Sequence, residues 1–391
     1  MEIKDLAKKY HQYAVETRRW FHQNPERSRQ EFNTAAKVEA ELRGLGLEPR
    51  RVLETGVVAY IDSGTPGKTI GLRADMDALE VTELNECTYK STEQGLMHAC
   101  GHDGHMAGLL TAARILNDLK DQFSGRVKLI FQPAEETAWG AKALIAAGEI
   151  KDCDAVFGIH LWNDINVGQI SLEPGPRLSS ATEFTIRVQG KGGHGSLPHQ
   201  GIDSVLVASN IIMNLQSIVS REIDPQKAAV VTCGTFNSGS RFNILADTAE
   251  ITGTTRCFNL ETNEIFEPAM RRIVEDTAAA YRATAELEYR VAMGPTVNDK
   301  KLANLGKKAM IEMFGEDVVS DFGVSSIGED FAFFGLEVPS VLALVGTKNP
   351  EKLPYYPHHH ANFDIDEDGL YYSSALYAKF AYEYLKEKNG N

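Results

Sequence analysis

The nine residues Met97-His-Ala-Cys-Gly-His-Asp-Gly-His105 carry three histidines, a cysteine and an aspartate. Imidazole and thiolate are the side chains transition metals prefer, so the run reads first as a metal-binding segment. Apolar residues at 109, 110, 113, 116 and 119 predict a helix that starts near Gly104–Met106. Cys100 and His102 then fall at its N-terminus, where the helix dipole favours the thiolate. Taken alone, a Cys-x-His pair is more simply a glycine-rich turn around a buried cysteine.

Other polar groups join it. Asp75 and Asp77 follow the strand-like run Thr69–Arg73, Glu135 and Glu136 follow Val127–Phe131, and His160 follows Ala155–Ile159. In α/β sheets, sites collect at the carboxyl ends of strands, so these groups are expected at one edge. Adjacent carboxylates are by themselves an ordinary solvated loop. Beside a Cys/His cluster they suit a division of labour, one on a metal and the other free as a base. The tail adds His358-His-His360, which on its own would be a surface loop with adventitious metal affinity.

Two glycine-rich segments do not carry nucleotide chemistry. Gly190-Lys-Gly-Gly-His-Gly195 matches G-x-G-x-x-G, but no helix opens directly after it and no acidic residue sits at the ribose-binding distance. Ser63-Gly-Thr-Pro-Gly-Lys-Thr69 lacks the first P-loop glycine, Asp62 standing there. A net charge of −14 argues against a nucleic-acid partner. No run is apolar enough for a membrane helix, and the N-terminus lacks the apolar stretch of a secretory signal. The five cysteines are odd in number and lack CxxC spacing, which points to reduced thiols in a cytoplasm.

The elements that must position these groups fall into two patterns. A helix over residues 2–21 is stopped by Asn24-Pro25, and a second runs from about Thr34 to Leu45. Strands at 57–61 and 69–73 are joined by Ser63–Gly67, a hairpin-type loop. Strands at 127–131 and 155–159 flank a helix near 138–148. After Gly294-Pro295 the alternation resumes, with a strand at 340–345 and a closing helix at 368–386. This is a mixed-sheet α/β domain with helices on both faces, expected over 1–180 and 293–391. Between them, 181–292 reads strand, helix capped by Asp203, two strands, helix, strand: an inserted ferredoxin-like βαββαβ domain.

With these motifs in place, the chain resembles the amidohydrolase branch of the dinuclear metallopeptidases: hippurate hydrolases, N-acyl-amino-acid amidohydrolases and plant auxin-conjugate hydrolases. The likeness runs nearly end to end. It rests on Arg18-Arg-Trp-Phe-His-Gln-Asn-Pro-Glu26, Leu72–Leu79, the 97–105 cluster, Gln132–Glu136, Gly158-Ile-His160, Gly190–His194, Gly253-Thr-Thr-Arg256 and Gly328-Glu-Asp-Phe-Ala332. The resemblance implies hydrolysis of the amide bond of N-acyl amino acids, such as N-acetyl or N-benzoyl conjugates. It implies two divalent metal ions per subunit, Mn²⁺ first, with Zn²⁺, Co²⁺ or Ni²⁺ as alternatives. Cys100 would bridge them, with His102, Glu136, His160 and His359 completing the ligand set. His359 is chosen among the three tail histidines because it falls four residues before Phe363, as in the family pattern. Glu135 would be the general base and Asp77 would orient a ligand. The insert would be a lid and a homodimer surface, His194 would serve the reaction, and Asn243 and Arg256 would hold the substrate carboxylate. Glu80, Ala361, Ser179-Ser180, Gly195 and Gly328 depart from the family's usual residues, which bears on substrate preference and removes no ligand. The alternatives are a dipeptidase or carboxypeptidase on the same scaffold, and a metal-loaded binding protein without activity.

Overall fold

A computed structural model describes residues 2–386. The chain divides into two compact units. The first takes in the residues up to Gly175, Val297–Gly323 and the chain from Phe333 onward. The second comprises Pro176–Thr296 and Val324–Ala332.

The first unit is built on a seven-stranded mixed sheet, ordered Arg50–Val52, Gly56–Asp62, Arg126–Gln132, Thr69–Asp75, Ala155–Asn166, Ser340–Lys348, Ile170–Ser171. Thr69–Asp75 is buried along its whole length and pairs parallel with Arg126–Gln132 on one side and Ala155–Asn166 on the other. A strand covered on both faces has no solvent side to alternate, so its polar residues Thr69, Arg73 and Asp75 are buried with the apolar ones. The expected hairpin at Ser63–Gly67 does not form, because Gly56–Asp62 and Thr69–Asp75 are not neighbours. Arg126–Gln132 lies between them, antiparallel to the first and parallel to the second. The loop instead bonds to the residue that leads into that strand: Ser63 N donates to Gly125 O at 3.2 Å and Gly125 N to Thr65 O at 2.9 Å.

The predicted N-terminal helix is two helices, Ile3–Lys9 and His11–Gln23, parted at Tyr10. Helix His102–Asp118 is buried on nearly every face, packed against His11–Gln23 and the closing helix Gly369–Lys386. It starts at Gly101, whose φ of 90° lies in the left-handed region that glycine enters without strain. Close packing holds its first turn on the sheet: a Cβ at Gly104 would collide with Leu161.

The second unit has the expected βαββαβ order. Strands Ala181–Gln189, Ala229–Ser238, Thr248–Cys257 and Thr284–Met293 form an antiparallel sheet, with Thr248–Cys257 and Ala181–Gln189 central. Ala181–Gln189 alternates buried and open positions, as a sheet covered on one face requires. Helices Ser204–Ser217 and Leu260–Ala280 complete its core. Asp203 caps the first of these, accepting from Val205 N and Leu206 N. The boundary differs from the expected 181–292. Val324–Ala332 joins this unit because Ser179 N donates to Ser325 O at 3.0 Å and Ser179 Oγ to Ser326 O at 2.8 Å. Among the described residues no helix is long and apolar enough to cross a membrane.

Candidate metal centre

The first unit gathers its chemistry at one sheet edge. Asp75 aligns with Gln132, and Arg73 with Gly158, so the parallel register carries Asp75, the 133–136 turn and His160 to the same level. His160 lies inside its strand rather than after it, since Ala155–Asn166 continues seven residues further than the apolar run suggests.

Cys100, His102 and His160 offer ligand atoms that all lie within 4.8 Å of one another, and so do Cys100, Glu136 and His359. The two triads share only the Cys100 sulfur. Cys100 Sγ is 3.5 Å from His160 Nε2. Glu136 Oε1 stands 3.9 Å from His102 Nε2 and 3.7 Å from His359 Nε2. His102 Nε2 is buried without a hydrogen-bond partner, and an unmet buried nitrogen is costly unless something binds it. The donor set of one thiol, three imidazoles and a carboxylate fits divalent transition ions.

The imidazoles are oriented from behind. His160 Nδ1 donates to Leu161 O at 2.7 Å and His102 Nδ1 to Asp77 O at 2.8 Å, which turns each Nε2 toward the sulfur. Such backing fixes the tautomer a ligand needs. Burial opposes charging His102, but Asp75, Cys100 and Asp77 outweigh it and hold its pKa well above the ordinary imidazole value. Burial, with Glu136 adding repulsion, keeps the Cys100 thiol well above its ordinary pKa. The groups that raise His102, Asp75, Cys100 and Asp77, make an acidic surround that favours a cation.

Asp77 organises the carboxylate pair. Its Oδ1 accepts from Glu135 N at 3.0 Å, and its Oδ2 from Glu136 N at 3.1 Å and from Ser28 Oγ at 2.6 Å. The turn begins at Ala134, held at φ 55° and donating its N–H to Glu31 Oε1 at 2.9 Å. Glu135 is buried, within ligand reach of His102 and Glu136.

The structure separates the three tail histidines. His359 has φ 66° and donates its N–H to Ala99 O at 2.8 Å, which brings its side chain beside Cys100 and Glu136. His358 turns inward, its Nε2 3.0 Å from Leu161 O and its ring against Trp162 and Phe363. His360 stacks on Tyr356 and accepts from Asn362 N at 3.0 Å. Of the cluster's other members, His105 bridges Asp75 (2.6 Å) and Leu161 N (2.8 Å), and Asp103 pairs with Arg18 (2.7 Å). His98 is buried with neither ring nitrogen bonded, and burial lowers its pKa to about 3.

The remaining expected residues belong to the second unit. His194 and Asn243 lie side by side where strand Gly193–His194 pairs with Ile244–Leu245, and Gly195 N donates to Asn243 O at 2.9 Å. Arg256 lies on Thr248–Cys257, opposite Val230. Ser28 has no counterpart in the sequence reading, since a serine in a short loop carries no signal of its partner.

The chain belongs to the family described as Peptidase family M20/M25/M40, whose model matches residues 71–383. It is similar to an IAA-amino acid hydrolase of Arabidopsis thaliana, 37% identical over 389 residues, covering 98% of this chain and 88% of the relative. It is also similar to an N-acetyl-L-cysteine deacetylase of Bacillus subtilis, 38% identical over 370 residues, covering 94% and 86%. A crystal structure from Bacillus subtilis, named a dinuclear metal binding peptidase of the M20 family, superposes with a TM-score of 0.86. The two share 33% sequence identity, and the match covers 97% of this chain and 100% of that one.

Proposed function

We propose that this M20-family member hydrolyses the amide bond of N-acyl amino acids with two divalent metal ions held by Cys100, His102, Glu136, His160 and His359. The observation that carries the reading is the pair of ligand triads sharing the Cys100 sulfur, with Glu135 beside them. The names of the similar proteins support it: one is a dinuclear metal binding peptidase and another a deacetylase of an N-acetylated amino acid.

When bound, such ions polarise the amide carbonyl and lower the pKa of water toward neutrality. Glu135 then takes the proton from the attacking water and passes it to the leaving amine. Asp77 fixes the backbone of both glutamates, so the base and its neighbouring ligand keep one spacing. On the second unit, His194 would donate to the tetrahedral oxyanion, an interaction of a kind worth about 2.7–4 kcal/mol. Asn243 and Arg256 would hold the free carboxylate, the guanidinium by its planar fork. A homodimer formed through the second unit goes with this reading.

The test is a panel of N-acetyl- and N-benzoyl-amino acids and free dipeptides with Mn²⁺ added, run beside Glu135→Gln. The parent is expected to release amino acid. The variant should lose at least about 100-fold in turnover, the low end for a general base, while keeping the parent's metal content. Undiminished turnover in the variant removes Glu135 from the reaction. No turnover on any panel member, with metal bound, favours the inactive binding protein, and activity confined to free dipeptides favours the dipeptidase.

A further inference from the structure

The segment Arg18–Glu26, one of those on which the sequence resemblance rests, contributes no group to the proposed chemistry. Arg18 is fully buried in helix His11–Gln23. Its Nε donates to Asp103 Oδ2 at 2.7 Å, and its second terminal nitrogen donates to Asp364 Oδ1 at 2.7 Å. Asp103 directly follows His102, and Asp364 comes five residues after His359. One guanidinium therefore ties the start of the helix that bears His102, just after Cys100, to the tail loop that bears His359. A planar fork can make two such bonds at fixed angles, where an ammonium offers a single charged point.

Neighbouring groups reinforce the same two segments. His22, one turn along the helix, places Nδ1 2.8 Å from Asp103 Oδ2 and Nε2 3.3 Å from Glu83 Oε1. The loop after Glu83 reaches the tail: Leu84 N donates to Ala361 O at 2.9 Å and Asn85 Nδ2 to Phe363 O at 2.9 Å. Tyr89 donates its hydroxyl to Asp364 Oδ2 at 2.8 Å. Farther along the segment, Glu26 O accepts from Ala78 N at 2.8 Å, beside Asp77.

We infer that Arg18 is a positioning residue for the metal centre, setting the spacing between the Cys100/His102 segment and the His359 loop. The inference rests on the metal reading above. Arg18 touches no ligand atom and acts through Asp103 and Asp364. Three carboxylates face it, with Glu367 at 3.4 Å. Removing the charge outright would take the buried cation away from Asp103 and Asp364, which risks unfolding. Arg18→Lys keeps the charge and loses the fork.

The experiment titrates the metal-stripped full chain with Co²⁺, followed by the thiolate-to-cobalt charge-transfer band and the visible ligand-field bands. Thermal unfolding of the stripped proteins is recorded alongside. Arg18→Lys is expected to bind Co²⁺ about 10- to 100-fold more weakly, the usual effect of losing a ligand's support, with altered ligand-field bands. Lys128→Met is the control. It breaks a half-buried pair to Asp152 (2.8 Å) on the same sheet and supports no ligand segment. It should lose stability and keep the parent's Co²⁺ affinity and spectrum. Parental affinity and spectrum in Arg18→Lys overturn the inference, as does an equal loss in Lys128→Met at equal destabilisation. If Arg18→Lys does not fold, Asp364→Asn carries the test, with the same expected weakening and the same refutation. A parent that takes up no Co²⁺ overturns the metal reading itself; a parent that binds two ions while Arg18→Lys is unchanged overturns only the role of Arg18.

Discussion

Asp77→Asn isolates the hinge on which the two glutamates turn. In the native site each carboxylate oxygen faces a backbone N–H, from Glu135 on one side and Glu136 on the other, and Oδ2 also faces the Ser28 hydroxyl. An asparagine has one oxygen. Whichever way its amide turns, an NH₂ group meets a backbone N–H, and one of the two donors loses its acceptor. The Ser28 hydroxyl can rotate to accept, but a backbone N–H cannot. Leaving one buried donor unmet costs about 1–3 kcal/mol. If that cost falls on the geometry the reaction needs, kcat/KM drops by about 5- to 150-fold. The assay is release of free amine from an N-acetyl amino acid, with metal content measured on the same preparation and unfolding followed by circular dichroism. Ser28→Ala is the graded comparison: it removes one acceptance and leaves both backbone donors satisfied, so its loss is smaller. Asp77→Asn with parental kcat/KM and metal content would refute the claim that this carboxylate sets the glutamate pair.

Three further outcomes follow from named contacts. His359→Ala should lose metal, read by elemental analysis after dialysis, because its side chain is the tail's contribution to the Glu136–Cys100 triad. His358→Ala should instead lower the unfolding temperature and keep metal, because its ring packs against Trp162 and Phe363; the reverse pattern would show that the ligand is His358. For His22, burial and Arg18 disfavour the charged ring, but the hydrogen bonds it donates to Asp103 and Glu83 outweigh them and raise its pKa above 6.5. A raised pKa means stability that is complete below about 6.5 and lost as pH climbs through the folded-state value. The gap in unfolding temperature between the parent and His22→Gln should therefore narrow as pH rises from 6.5 to 9, and a constant gap would show that His22 adds no charge to the network.

How far the sequence exposes this fold depends on the kind of information each element needs. Local signals carried well: Asp203 caps its helix, and the alternation in Ala181–Gln189 marks a sheet covered on one face. What did not carry was pairing. Ser63-Gly-Thr-Pro-Gly67 has hairpin composition, but composition cannot say that Arg126–Gln132, some sixty residues away, inserts between the flanking strands. The same limit explains the insert's boundary. Nothing local in Val324–Ala332 announces that its backbone bonds to Ser179. Helix Lys300–Phe314 has a start of the same readable kind, Asp299 accepting from Leu302 N.

The site shows a sharper version of that divide. Cys100, His102 and the glutamate pair stand out because cysteine, histidine and adjacent carboxylates are scarce and chemically specialised, so their clustering alone is informative. The groups that give them geometry are ordinary in type. Ser28 is a loop serine, Arg18 one of two adjacent arginines on an amphipathic helix, and Asp103 looks like one more member of the histidine-rich run. Their roles exist only as distances across the fold: 2.6 Å from Ser28 to Asp77, 2.7 Å from Arg18 to Asp103 and again to Asp364. The tail shows why the distinction matters for chemistry. His358, His359 and His360 are identical in type and consecutive in sequence, yet a positive φ at His359 sends the three rings three ways, into the packed interior, toward Glu136, and onto Tyr356. Residue type can nominate a ligand, but among equivalent neighbours the backbone decides which imidazole faces the sulfur. The contacts that hold that backbone are therefore as much a part of the centre's specificity as the ligands are.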